Sequence, residues 1–284
     1  MPANRNEFQR IGALMDFSKA ASKAYDNACF IAQKNAKELE VFCVLNEYSK
    51  KQLQQQNKNF ASQEDLRSIL MEMNNACNVN LKVSDSKWRS VIEAEVKKEN
   101  GLSEIFLGYQ NAKDPDLHVT PHMAYKLAKI TNVPVFCWNE SADSNLKEIL
   151  LPFDTNKHSR EKLYYGVLLA QMYQARLHLL LLNTNQTNEE QMNLRNAGRQ
   201  IEEYVIKNGV AYWIEERKSN NVVKTVLDYI DEKQIHLLVC SVEMEHNLSD
   251  IFKGSTPARI AQSLNIQAFF IPERVSWGMI DVTI

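Results

Sequence analysis

Short apolar segments alternate along the first half of the chain with longer stretches in which apolar residues recur at helical spacing. Short runs of this kind are typical of buried strands, and the longer period is typical of amphipathic helices. The predicted strands cover 10–17, 39–45, 79–84, 104–109 and 133–138. The predicted helices cover about 19–36, 63–77 and 84–100, and a last one begins at Thr120 or Pro121. The polar segment KKQLQQQNKNFASQ is expected to be a solvated connection or a frayed helix start.

The second half repeats this order of elements. The predicted strands cover 148–153, 177–183, 211–216, 235–241 and 267–272. The predicted helices cover 158–173, 188–207 and 220–234, followed by the segment TPARIAQSL. Strands that alternate with helices indicate a parallel sheet with helices on both faces.

Residue offsets indicate an internal repeat. Asp16 and Asp154 each lie at the end of a first strand and are 138 residues apart (154 − 16). The pairs Thr120-Pro121 and Thr256-Pro257 are 136 apart (256 − 120), and each fits a helix start with Thr as N-cap and Pro at the first helical position. The sequence therefore predicts an α/β protein with two similar open, mostly parallel five-stranded sheets, in domains 1–140 and 147–284. A polar connection near 139–147 joins them.

Composition and charge narrow the class of protein. Hydrophobic residues make up 44% and charged residues 24% of the chain, and the net charge is −2, so no basic field favours nucleic acid or an anionic membrane. No apolar run reaches the roughly 18 residues of a membrane span, and the polar N-terminus does not resemble a secretory signal. The five cysteines form no C-x-x-C pair. We expect reduced, buried thiols in a cytoplasmic protein.

The second half resembles a universal stress protein domain. The resemblance rests on ILLPFDTNKHSREKLYYGVLLAQMYQARLHLLLLNT at its start, and on LDYIDEKQIHLLVCS and GSTPARIAQSLNIQAFFIP at its end. The family's Pro-x-Asp pattern after the first strand is present as Pro152-Phe153-Asp154, and its Gly-Ser at the last helix as Gly254-Ser255. The first half keeps only Asp16 and the Thr120-Pro121 helix start, so the chain resembles tandem members. The resemblance implies a Rossmann-like fold of the adenine nucleotide alpha hydrolase type.

Family members that bind ATP use Gly-x-x-Gly, nine residues, then Gly-Ser or Gly-Thr. Such glycines let backbone N–H groups approach the phosphates at a helix N-terminus. Counting back from Gly254 in this chain gives Met244 and Ser241 instead of glycines. Glu243 and Glu245 add negative charge, and each like-charge pair costs on the order of 3 kcal/mol at about 5 Å and an effective dielectric constant near 20. We therefore expect a degenerate nucleotide site.

The surviving part of that site is in the second half. The candidate nucleotide-binding residues are Pro152, Asp154, Ser241, Gly254, Ser255 and Thr256. Simpler roles are open for them, because Gly254-Ser255-Thr256 also fits a plain helix cap and Asp154 a capped turn. In the first half no glycine lies between Gly108 and the last helix, so no nucleotide site is expected there.

Other constellations are weaker. His118 and His122 are four residues apart, with Asp114 and Asp116 close upstream, but the helix begins only near Thr120, so we expect a solvated loop and no metal. Walker A, Gly-x-Ser-x-Gly and His-Glu-x-x-His motifs are absent, and no catalytic residue is predicted. A receiver domain is disfavoured, because the fifth strand of each copy lacks the following lysine.

The expected function is a non-enzymatic, cytoplasmic, stress-linked regulatory or interaction protein that needs no cofactor. The alternative is an ATP- or AMP-binding switch through the second half, with weak binding or slow hydrolysis. The expected partner is a protein whose identity the sequence does not indicate; neither nucleic acid nor membrane is expected. The resemblance also implies an internal pseudo-dimer through PVFCW and QAFFIP, and the apolar tail 273–284 leaves a homodimer open.

Overall fold

The computed structural model describes residues 10–74, 79–84, 88–98, 101–109, 119–140, 145–153, 159–184, 187–242 and 266–272. The chain divides into Met1–Ser141, called unit 1 below, and Ala142–Ile284, called unit 2.

Unit 1 is a parallel sheet with helical connections. Its elements are β1 (Arg10–Met15), α1 (Lys19–Lys34), β2 (Glu38–Val44), α2 (Glu47–Gln55), α3 (Gln63–Met73), β3 (Val79–Ser84), α4 (Trp88–Val96), β4 (Leu102–Tyr109), α5 (Pro121–Thr131) and β5 (Val135–Asn139). The strand order is β3-β2-β1-β4-β5, and neighbouring strands are parallel. The order reverses between β1 and β4, the kind of place where open α/β sheets bind ligands.

Unit 2 repeats this topology. Its described elements are β6 (Glu148–Phe153), α6 (Ser159–Tyr173), β7 (Arg176–Asn183), α7 (Asn188–Lys207), β8 (Tyr212–Lys218), α8 (Val222–Lys233), β9 (Leu237–Val242) and β10 (Gln267–Pro272). The order β10-β9-β6-β7-β8 is again fully parallel and reverses between β6 and β9. The predicted fold class is confirmed. The predicted helix TPARIAQSL and the tail 273–284 lie outside the described residues.

Strand register relates the two units residue by residue. Arg10 pairs with Glu38 in unit 1, and Glu148 pairs with Arg176 in unit 2. Both strand pairs are therefore related by the offset of 138 residues (148 − 10 and 176 − 38), the offset that Asp16 and Asp154 indicated. Equivalent positions can thus be compared directly.

Helices cover both faces of the unit 2 sheet. Gly166 of α6 and Gly198 of α7 lie against Leu151 and Leu181, which share one face. On the opposite face, His178 contacts Tyr229 of α8. This two-sided cover explains why β6 and β7 are almost continuously apolar, as in other parallel sheets.

One helix differs from the sequence expectation. The segment KKQLQQQNKNFASQ was expected to be a solvated connection or a frayed helix start. Its first six residues, 50–55, belong to α2, which ends at Gln55. Asn46 caps it, accepting from the Ser49 backbone N–H, while the Ser49 hydroxyl accepts from the Asn46 backbone N–H. This capping box, together with burial of Leu53, stabilises a helix whose Gln- and Lys-rich composition hides its periodicity.

Unit 1 buries a cluster of charges between its sheet and α4. Glu40 of β2 and Glu95 of α4 are only 4% and 7% exposed. Glu40 forms ion pairs with Arg10 and Lys82. Glu95 lies 2.7 Å from the Lys82 ammonium and 2.5 Å from that of Lys98. Each buried carboxylate therefore has at least two cationic partners, which offset the cost of removing it from water.

Candidate functional site

The crevice between β6 and β9 is the candidate site, because it lies where the strand order of unit 2 reverses. Pro152 and Ser241 are both half-buried, at the carboxyl ends of these neighbouring strands. The other candidate residues Asp154, Gly254, Ser255 and Thr256 lie outside the described residues, as do Glu243, Met244 and Glu245. The structure therefore places two of the six predicted site residues, both at the carboxyl-terminal edge of the sheet.

A lysine that the sequence did not single out lies at this crevice. The Lys162 ammonium donates a hydrogen bond to the Pro152 carbonyl and lies 4.5 Å from the centroid of the Phe153 ring. Lys162 is 8% exposed and stands in the first turn of α6. Lys162 therefore brings a positive charge to this crevice.

A signal for Lys162 was present in the sequence. The residue lies on the stripe of α6 that also carries Gly166, Leu169 and Ala170, all of which are buried. The offset of 138 residues makes Lys162 equivalent to Ala24 of unit 1, which is 1% exposed. A lysine in an apolar stripe, where the other repeat has alanine, would have indicated a buried charge.

Polar side chains near the carboxyl ends of the neighbouring strands β7 and β8 are hydrogen-bonded to each other. Asn183, 2% exposed, donates its amide to Glu216 at 3.0 Å, and Arg195 donates to the same carboxylate at 3.1 Å. The hydrogen bond from Asn183, followed by that from Arg195, lowers the pKa of Glu216. These polar groups are therefore hydrogen-bonded to each other.

In unit 1 the equivalent edge is occupied by a capped turn. The Asp16 carboxylate accepts the Ser18 backbone N–H at 2.9 Å, and the Ser18 hydroxyl caps α1 by accepting the Ala21 N–H at 3.1 Å. Phe17 between them is left-handed, with φ 62°, and its carbonyl accepts from Gln56. Asp16 therefore shapes the entry into α1.

The equivalent of Ser241 in unit 1 is Gly108. Gly12 pairs with Ile105 and Leu150 with Leu238, so the third residue beyond each pair, Gly108 and Ser241, is equivalent. A Cβ atom on Gly108 would lie 2.2 Å from the Ala21 backbone nitrogen. The glycine thus admits the backbone of α1. The absence of a nucleotide site in unit 1 stays a prediction.

Thr120 and Pro121 begin α5 as predicted. The Thr120 hydroxyl accepts the Met123 backbone N–H at 3.2 Å, and Pro121 is in the first turn. Burial, followed by the nearby Lys126, lowers the pKa of His122. His118, Asp114 and Asp116 lie outside the described residues. Within the described part of the chain, no group of three or more His, Cys, Asp or Glu side chains is placed to hold a metal ion.

A cleft of about 650 Å³ lies at the opposite, amino-terminal end of the unit 2 strands. Its lining mixes Lys147, Glu148 and Arg176 with the amides Gln171, Gln174 and Asn208. Gln171 already donates to the Asn208 carbonyl at 2.9 Å. The cleft lies at the end of the strands opposite the predicted site, which is the wrong end for ligands of open α/β sheets.

The described cysteines are buried, namely Cys29, Cys43, Cys137 and Cys240, and none of them forms a disulfide within the described residues. Burial, followed by the charge of Asp16, raises the pKa of Cys43 to about 12, and burial also raises the pKa of Cys137. Thiols of this kind are chemically inert at neutral pH. Among the helices that the structure describes, none is long and apolar enough to cross a bilayer.

The fold is similar to that of several solved structures. A universal stress protein from Archaeoglobus fulgidus DSM 4304 matches with a TM-score of 0.65 and 14% identity, over 94% of this chain and 98% of that chain. A functionally unknown protein from Pseudomonas aeruginosa PAO1 matches with a TM-score of 0.63 and 14% identity, over 94% and 93%. A protein from Pseudomonas aeruginosa UCBPP-PA14, provisionally described as a universal stress protein, matches with a TM-score of 0.62 and 15% identity, over 93% of each chain.

Sequence comparison adds no relative to these structures, since no protein-family model and no curated protein matches the chain. At 14–15% identity the likeness concerns the fold. The strand order, the repeated register and the full-length matches agree on this point. The chain has the fold of the universal stress proteins, with two such units in tandem.

Proposed function

We propose that this protein is a non-enzymatic regulatory or interaction protein of the universal stress type, in which strong ATP binding has been lost. It acts in the cytoplasm through a protein partner. Unit 1 serves as a scaffold, and unit 2 keeps the remainder of a nucleotide site. The fold and the resemblance of the unit 2 motifs support the class of protein.

The observation that carries the proposal is the pair of equivalent positions Gly108 and Ser241. A phosphate loop needs glycine at this point so that the backbone can approach the phosphates. Unit 1 has the glycine, but the backbone of α1 lies against it. Unit 2 has serine, followed in sequence by Glu243, Met244 and Glu245. Neither unit combines the glycine with open space.

A second candidate function is an AMP- or ATP-dependent switch through unit 2. Buried Lys162 favours it, because this cation lies at the crevice where the candidate residues Pro152 and Ser241 converge. One ammonium group suits a single phosphate better than a triphosphate that also has to approach Glu243 and Glu245. Weak binding of AMP or of inorganic phosphate is therefore the form that this alternative takes.

Calorimetric titration separates the two functions. The full-length protein is titrated with ATP, AMP and inorganic phosphate, with and without magnesium, beside a Glu243→Gly, Met244→Gly, Glu245→Gly variant. The proposal expects no ATP binding by the parent and a gain by the variant. Micromolar ATP binding by the parent would overturn it. Binding of AMP alone, weaker than micromolar, would favour the switch.

A further inference from the structure

His178 is a buried histidine with a hydrogen-bond partner on each ring nitrogen. It is 5% exposed in the middle of β7, beneath α8. Its Nδ1 lies 3.0 Å from the Tyr229 hydroxyl of α8, and its Nε2 lies 2.7 Å from the Glu148 carboxylate of β6. The His178 and Tyr229 rings meet edge to face at 5.7 Å. The chain Glu148–His178–Tyr229 thus ties α8 to two strands of the sheet.

The partners determine the tautomer of His178. A carboxylate only accepts hydrogen bonds, so the neutral ring carries its hydrogen on Nε2 and donates it to Glu148. The unprotonated Nδ1 then accepts the hydroxyl hydrogen of Tyr229. Tyr229 is fully buried, so its hydroxyl depends on this acceptor. A proton on Nδ1 would turn the acceptor into a second donor and leave the phenolic hydrogen without its partner.

The charges around His178 are already balanced. Arg176 faces it from its own strand and lies 3.8 Å from Glu148. Arg217 and Glu215 of β8 form an ion pair at 2.6 Å, and Arg217 also pairs with Glu232 of α8 at 2.7 Å.

Two more groups complete this surrounding. Lys233 of α8 lies 2.9 Å from Glu232 and 3.9 Å from Glu215. His236 accepts the Glu148 backbone N–H on its Nδ1 at 3.2 Å. Arg176, Arg217 and Lys233 thus balance Glu148, Glu215 and Glu232, and a positive His178 would add a charge for which this set has no further carboxylate.

Burial is the main cause that lowers the pKa of His178, and the positive charges of Arg176 and Lys233 act in the same direction. The hydrogen bond and charge of Glu148 oppose them without reversing the direction. The neutral ring that the hydrogen bonds require is therefore also the form that the surroundings favour.

We propose that the Glu148–His178–Tyr229 chain is an acid-sensitive lock on α8. Near neutral pH the neutral imidazole holds Tyr229 and α8 against the sheet. In weakly acidic solution a proton from the solvent binds Nδ1, the hydrogen bond from Tyr229 is lost, and α8 loosens from β6, β7 and β8. Unit 2 then opens locally while unit 1, whose buried cluster contains no histidine, remains closed.

Hydrogen exchange of the full-length protein tests this lock. Backbone exchange is measured by mass spectrometry at about pH 7.5, 6.5 and 5.5, and rates are corrected for the intrinsic effect of pH. Since the ordinary pKa of histidine is about 6.5, opening of α8 is expected to increase by up to about tenfold at pH 5.5. The exchange of the α4 amides of unit 1 is expected not to increase at pH 5.5.

A His178→Gln variant keeps a donor for Glu148 but does not titrate, so its α8 exchange is expected to lose this pH dependence. His122→Gln, which removes a histidine from unit 1, is the matched control and is expected to keep it. Equal pH dependence of α8 and α4, or a His178→Gln variant that behaves like the parent, would overturn the lock. If His178→Gln does not fold, NMR titration of the parent imidazole decides, and a His178 midpoint above about 6.5 contradicts the lock.

Discussion

The two units have polar clusters at equivalent positions, and at two of these positions the sign of the charge is exchanged. Arg10 in unit 1 corresponds to Glu148 in unit 2, Glu40 to His178, and Lys82 to Glu215. In each unit the cluster lies between the sheet and the helix that follows its third strand. The fold tolerates either arrangement, because a buried charge needs a partner of opposite sign and not a particular sign.

The difference between the clusters lies in how they titrate. In unit 1, burial pushes the pKa of Glu95 upward, but hydrogen bonds from Lys82 and Lys98 outweigh it, and the pKa is lowered overall. Unit 2 has a histidine at the centre, whose neutral form is favoured. One repeat is therefore a charged cluster whose central carboxylate has a lowered pKa, and the other holds a histidine whose pKa burial lowers.

The largest expected effect on stability distinguishes the equivalent positions Gly108 and Ser241. Gly108→Ala places a Cβ atom 2.2 Å from the backbone of α1, so the helix has to move. We expect a loss of about 3 kcal/mol in the free energy of unfolding, measured by urea denaturation of the full chain. Ser241→Ala, at the equivalent position, is expected to change stability by less than about 0.5 kcal/mol. Equal effects of the two variants would contradict the close packing at Gly108.

Breaking the cluster of unit 1 is the next effect in size. Glu40→Gln removes the carboxylate that Arg10 and Lys82 share, and leaves both cations without this partner. Because Lys82 is partly exposed, we expect about 2 kcal/mol of destabilisation in urea at neutral pH. Glu38→Gln, two residues earlier on β2 and exposed, is the matched control and is expected to have almost no effect. If Glu40→Gln left the free energy of unfolding unchanged, water would be solvating these cations in place of the carboxylate.

Anion binding tests the role of Lys162, whose equivalent in unit 1 is Ala24. If unit 2 binds AMP or phosphate, Lys162→Met is expected to weaken that binding by at least about tenfold, equivalent to about 1.4 kcal/mol, because the cation is lost from the crevice. Calorimetric titration measures this. Lys224→Met removes an exposed lysine of α8 and is expected to leave affinity unchanged. Unchanged affinity in Lys162→Met would place the ligand elsewhere.

The smallest effect concerns the order in which the units respond to acid. The lowered pKa of His178 means that its contribution to stability is complete above about pH 6.5 and declines as the pH falls below that value. The lowered pKa of Glu95 means that its contribution persists until the pH falls below the ordinary glutamate value of about 4.3. The expected stability loss in unit 2 near pH 5.5 is about 1 kcal/mol.

Hydrogen exchange from about pH 7.5 to 4 should therefore show α8 losing protection before α4. A Glu95→Gln variant is expected to remove the later change in α4 and leave the earlier change in α8. Loss of protection in α4 first, or in both helices together, would contradict the assignment of separate titrating groups to the two units.

Much of the fold could be predicted because its signals are local. The strands 79–84, 148–153 and 267–272 and the helix 188–207 have the predicted bounds, since their periodicity is uninterrupted. α2 was predicted only as a connection or a frayed start, because its cap and its single buried leucine leave little periodic trace. For the site, Pro152 and Ser241 lie at the predicted edge, whereas the predicted roles of Asp154, Gly254, Ser255 and Thr256 stay predictions.

The residues that the sequence did not single out are the ones whose neighbours are far along the chain. A lysine in a helix is usually exposed, so the sequence pattern does not indicate that Lys162 is buried, and His178 lies inside the predicted strand 177–183. That assignment of His178 to β7 is correct, but its position says nothing about Glu148 or Tyr229, which are 30 and 51 residues away. Buried polar residues acquire a role only through such distant partners.

The sequence by itself determined the alternation of strands and helices, the repeat, and the side of the sheet where a ligand would bind. These follow from the periods of strands and helices and from the rule that parallel strands end at one edge. The tertiary structure decided which charges meet, that α1 lies against Gly108, and that His178 joins β6, β7 and α8. The physical reason is that ion pairing, close backbone approach and burial depend on distances across the sheet, which local sequence patterns do not encode.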